Sequence, residues 1–117
     1  MLFSLSYDTS QRIAKEHPIV QSLLDLKADG ADPKSFFGAL YAPLRSEVSK
    51  RLDLAASWDR VALEAGFVRR NLPPLQATTI RYLLDTCELA IFGGQAARFD
   101  LDTIIEEARL FFQEHVV

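Results

Sequence analysis

The sequence predicts an all-α fold, a compact bundle of about five helices with short connections. Every long periodic segment carries the helical repeat, and none shows sustained strand alternation. Helix-opening Asp, Ser and Pro residues and stopping glycines punctuate those segments at helical lengths. The chain has 117 residues, 49% of them hydrophobic and 25% charged, which suits one soluble domain with one core. We therefore read 1–117 as a single helical domain, with 1–32 an N-terminal helical segment and 33–117 the helical core.

Residues 9–16 read as a short helix opened by Thr9 or Ser10. Pro18 then starts a new helix or kinks a continuing one. "PIVQSLLDLKADG" places Ile19, Val20, Leu23 and Leu24 on one side, extended by the stem of Lys27, and Gly30 suits the C′ stop. In "ADPKSFFGALYAPLRSEVSKRLDL", Asp32 suits the N-cap and Pro33 the first helical position, where a missing N–H costs nothing. Phe37, Leu40, Tyr41, Leu44, Val48 and Leu52 form one apolar stripe, and Glu47 precedes Arg51 by one turn. Pro43 crowds the carbonyl of Ala39, so a kink or a later helix start is expected.

"SWDRVALEAG" reads as a short helix capped by Ser57, with Asp59 in its first turn. Gly66 is its expected C′ residue, with Phe67 folding back on Ala62. The next helix spans about Pro74 to Phe92, with a stripe of Ile80, Leu83, Leu84, Cys87, Ala90 and Ile91 opposite Arg81, Asp85 and Glu88. Gly93 and Gly94 end it. The last helix opens at Asp100, stapled by Phe99 and Ile104, and buries Leu101, Ile104, Ile105, Ala108 and Phe112.

"EAGFVRRNLPPLQATTIRYLLD" has the look of a helix-turn-helix, with a glycine turn, two arginines and a helix that could read DNA. Read with Gly66 as the stop, its connector is longer than the three or four residues of that motif, and Pro73 and Pro74 stiffen it. The second helix gives its apolar side to a core and turns Asp85 and Glu88 outward, where phosphates would repel them. The net charge of −3 also opposes nucleic-acid binding. A DNA-binding regulator with a degenerate helix-turn-helix is the alternative reading.

The order of elements from about residue 34 onward resembles the C-terminal cytoplasmic domain of BatD-type aerotolerance proteins. The resemblance runs through "SFFGALYAPLRSEVSKRLDL", "SWDRVALEAG", "LPPLQATTIRYLLDTCELAIFGG" and "DLDTIIEEARLFF". It includes an "LLxxCExAxF"-like segment, here Leu83, Leu84, Cys87, Glu88, Ala90 and Phe92, and covers about two-thirds of the chain. What it implies is a non-enzymatic bacterial stress-response module on the cytoplasmic side of a membrane-anchored protein. The partners it implies are von Willebrand A-domain proteins or a MoxR-type AAA+ ATPase.

Little in the sequence points to catalysis. The single cysteine, Cys87, cannot form an intramolecular disulfide, and on an apolar stripe it reads as an inert thiol. His17 and His115 are too far apart to suggest a zinc site with it, and neither has a catalytic partner at useful spacing. "GG" at 93–94 opens no phosphate loop. No cofactor and no nucleic acid is expected. No apolar run reaches the ~18–20 residues of a membrane span, so the chain reads as soluble, and the cytoplasmic location is what the resemblance implies. Arg81, Asp85 and Glu88 are the sole motive for a small enzyme, and a solvated face with an i, i+4 pair explains them.

The aromatics Phe36, Phe37, Tyr41, Tyr82 and Phe92 span more than one helical face. They fill the core, or some line an exposed groove for a partner helix or peptide, with Arg69 and Arg70 as a polar rim. The candidate partner-binding set is Phe36, Tyr41, Arg69, Arg70 and Tyr82.

Overall fold

The computed structural model describes residues 16–114. The short helix expected over 9–16 lies outside them except for Glu16, which is not helical, and His115 lies outside them too. Among the described residues five α-helices follow one another: α1 (Pro18–Ala28), α2 (Pro33–Leu52), α3 (Arg60–Arg69), α4 (Pro74–Ile91) and α5 (Leu101–Glu114). A single 3₁₀ turn, Ala96–Arg98, precedes α5. The all-α class is the one the periodicity predicts.

Proline occupies the first position of α1, α2 and α4, where its fixed φ suits the helix and its absent N–H is not missed. Pro18 thus starts a helix, and the Nδ1 of His17 caps it by accepting from the Ile19 amide at 3.1 Å. Asp32 caps α2 by accepting from the Ser35 amide. At α5 the Asp100 carboxylate accepts from Thr103 Oγ1 at 2.7 Å. That bond, with the amides of Thr103 and Asp102, holds its carboxyl below the usual range. Gly30 stands at φ 71°, and the Ala31 amide reaches back to the Leu26 carbonyl to close α1.

α2 and α4 form the central pair, with α1 against α2 and α5, α5 against α4, and α3 against α2. Their shared core includes Phe36, Phe37, Leu40, Leu44 and Val48 of α2, and Ile80, Leu83, Leu84 and Cys87 of α4. Phe37 meets Phe36 edge-on at 5.3 Å and Phe99 at 5.8 Å, geometries that favour aromatic pairs. α2 continues unbroken through Pro43, so the helix does not start later than Pro33.

Two boundaries differ from those expected of the sequence. The cap of α3 is Asp59, whose Oδ1 accepts from the Ala62 amide at 2.9 Å, and Ser57 lies outside the helix. The buried Trp58 intervenes, and Arg45 donates to its carbonyl at 2.8 Å, which fixes the chain before the helix begins. α3 also runs through Gly66 to Arg69. Its stop is Asn71 at φ 51°, with the Leu72 amide bonded to the Phe67 carbonyl and the Asn71 amide to that of Val68. Gly66 serves packing instead: a Cβ there would lie 3.2 Å from Leu54 Cδ2 and 3.3 Å from Leu52 Cβ.

Candidate interaction surface

α4 carries two apolar stripes. The inner one, with Ala77, Ile80, Leu83, Leu84, Cys87 and Ala90, is buried. The outer one is Leu75, Tyr82 and Leu89, seven residues apart, with Phe92 at the helix's C-cap. At ~100° per residue the two stripes centre on opposite sides of the helix. The outer side chains are 76%, 36%, 44% and 72% exposed in chain order. α3 repeats the pattern: Leu63, Gly66 and Phe67 face the core, while Val61 and Val68 are 78% and 81% exposed. Six of the seven large apolar side chains exposed among the described residues thus lie on α3, α4 and its cap, and Leu110 is the seventh.

Charge pairs hold α3 against α4 beside these stripes. Arg81 donates twice to Glu64, both at 2.7 Å, and this guanidinium holds the Glu64 carboxyl below the usual range. Arg60 reaches Asp85 at 2.8 Å and Glu88 at 3.0 Å. The i, i+4 pairing expected of Arg81 with Asp85 gives way to these interhelical pairs. Exposed pairs of this kind are screened by solvent, so they orient the helices more than they stabilise them. A cleft of about 410 Å³ lies between the helices, lined by Glu64, Phe67, Val68, Pro74, Ala77 and Arg81 among others.

The candidate residues from the sequence divide. Phe36 is 1% exposed and belongs to the core, so it is no part of a docking surface. Its neighbour Phe37 takes the stripe position, but the interior on this side is wide enough for both rings. Tyr41 is half-buried and donates to Glu88 at 3.0 Å, while its ring meets Phe92 edge-on at 5.9 Å. Burial, then that bond to a carboxylate, raises its pKa. Arg69 donates to the Leu52 carbonyl at 2.8 Å and ties α3 to the end of α2. Arg70 stands 3.8 Å from Asp53, with about half of its side chain in solvent. Tyr82 lies on the outer stripe. The structure brings Tyr82 to this surface, with Tyr41 at its edge through Phe92.

Leu75, Leu89, Val61 and Val68 were missed. The heptad spacing of Leu75, Tyr82 and Leu89 was visible in the sequence, but the stronger inner stripe absorbs the apolar count of that helix.

The helix-turn-helix question also changes. Because α3 continues to Arg69, only residues 70–73 separate it from α4, a length that the motif allows. Connector length is thus no objection. The grounds that stand are chemical: Asp85 is exposed on the second helix, and Arg60, Arg69 and Arg81 each bond within the chain.

Cys87 is fully buried, and burial with the neighbouring Glu88 charge pushes its thiol up to about 12. It stays protonated at neutral pH and is a poor nucleophile. Among the described residues no group of three His, Cys, Asp or Glu is placed to hold a metal ion. No helix among them is long and apolar enough to cross a membrane. No family model matches the chain, and neither a curated protein nor a solved structure is significantly similar to it.

Proposed function

We propose that this chain is a non-catalytic interaction module that docks a protein through the outer faces of α3 and α4. One observation carries the reading: the exposed large apolar side chains concentrate on these two helices, where they cost free energy unless a partner covers them. Helices use such faces in two-helix and helix-in-groove contacts. The resemblance to BatD-type domains supports a partner of the von Willebrand A or MoxR-type AAA+ class in a bacterial stress complex, with the module on the cytoplasmic side. The test is co-purification with the immobilised full chain against a Leu89→Glu variant. A protein held by the first and lost by the second supports the reading, and equal retention by both refutes it.

A second reading, a DNA-binding regulator, is favoured by the four-residue connection alone. Binding to duplex DNA that weakens steeply with added salt would support it, and no binding at low ionic strength removes it.

A further inference from the structure

We infer that the outer stripe of α4 is covered by a second copy of this chain, its α4 lying antiparallel across a two-fold axis. This rests on the reading of these faces as docking surfaces: the second copy takes the α4 stripe, and Val61 and Val68 of α3 stay open to a different protein. Leu75, Thr78, Tyr82, Asp85, Leu89 and Phe92 follow one another at alternating three- and four-residue steps, the spacing of a two-helix seam. Leu75, Thr78, Asp85, Leu89 and Phe92 are exposed, and Tyr82 is at the margin of exposure. Over these 17 steps the seam runs about 26 Å along the helix.

The sequence of this seam is complementary to itself only when reversed. Antiparallel pairing sets Leu75 against Phe92 of the second copy, Thr78 against Leu89, and Tyr82 against Asp85, and the two-fold axis repeats each layer. The outer layers are apolar. In the central ones the Tyr82 hydroxyl reaches the carboxylate of Asp85, which would otherwise lose water without a donor beyond Arg60. Parallel pairing in register would place Asp85 on Asp85, an unfavourable contact of like charges.

The flank agrees. In the antiparallel register Arg81 lies beside Glu88 of the second copy, and Glu88 beside its Arg81. Arg81 already holds Glu64, and Glu88 already accepts from Arg60 and Tyr41. Both ends remain partly in solvent, with side chains 42% and 35% exposed. Pairing therefore extends the existing contacts into an alternating row: Glu64, Arg81, then Glu88 and Arg60 of the second copy.

Sedimentation equilibrium of the full chain, at low to high micromolar concentration, tests the association. A dimer is expected, and Leu89→Glu should raise its dissociation constant by at least about 100-fold, since each change enters the interface twice. The variant's helical content and melting at low concentration serve as the fold control. Orientation is read by oxidising a mixture of Thr78→Cys and Leu89→Cys chains, with Cys87 buried and inert. The expected product is the mixed 78–89 disulfide. A chain monomeric throughout, a dimer indifferent to a folded Leu89→Glu, or dominant 78–78 and 89–89 products would each overturn the proposal. A monomer that still captures another protein through Leu89 would leave the docking reading standing and overturn this inference alone.

Discussion

The inner and outer faces of the α3–α4 unit are built from the same kinds of residue and meet opposite fates. Inside, Leu63, Phe67, Leu83 and Leu84 are buried, and outside, Val61, Val68, Leu75 and Leu89 face solvent. Side-chain hydrophobicity does not distinguish them. What does is whether another element of the chain lies opposite: α2 and α5 cover one face, and nothing described covers the other. The inner face therefore reports on stability, and the outer face on association in the function we propose.

The sharpest test of that division is a matched pair of truncations. Leu84→Ala should cost about 2–5 kcal/mol in urea unfolding, because it removes packed methylenes and leaves a cavity. Leu89→Ala, at concentrations where the chain is monomeric, should stay within about 0.5 kcal/mol. Equal losses would erase the distinction.

A smaller effect is expected at Gly66, where the inner face of α3 presses on Leu52 and Leu54. Gly66→Leu should destabilise by about 1–3 kcal/mol through overpacking, measured by thermal unfolding. Neutrality there would mean that α3 is free to lift away.

Next is the start of α3. Asp59→Ala should cost about 1 kcal/mol by removing the acceptor for the Ala62 amide, while Ser57→Ala should change little. The reverse order would restore Ser57 as the cap.

Least visible at neutral pH is the thiol of Cys87. It should resist a thiol reagent in the folded chain and react once the chain is unfolded. Its folded pKa, about 12, exceeds the ordinary 9.0, and that of Tyr41 is raised too. Above pH ~9 the unfolded chain releases protons that the folded chain keeps, so these groups' contribution falls as pH rises toward 12. Stability flat or rising across that range would contradict their burial.

Much of the fold was legible because the cues were local. Asp32–Pro33 and Asp100 mark helix starts through their own backbone chemistry, and the stripe of α4 is its own periodicity. Gly66 misled because glycine serves two ends, a left-handed turn and a close approach, and only the neighbouring Leu52 and Leu54 reveal which. Asn71 was hidden because asparagine enters the left-handed region less often than glycine does. At the candidate surface, Tyr82 was legible as a surplus aromatic. Phe36 was misplaced because the depth of the core opposite α2 depends on residues far along the chain, among them Phe99, which meets its neighbour Phe37.

Two arginines of α2 share a device. Arg45 lies 3.9 Å over the ring of Trp58 and donates to the carbonyl of that same residue. Arg51 lies 4.0 Å over the ring of Phe111 and donates to its carbonyl at 2.6 Å. Each planar cation thus holds one residue at two points, which a lysine ammonium cannot do with a single centre. Arg45→Lys and Arg51→Lys would leave the formal charge of −3 untouched and still loosen the chain before α3 and the end of α5. At these two places the shape of the cation matters, and equal charge is no safeguard.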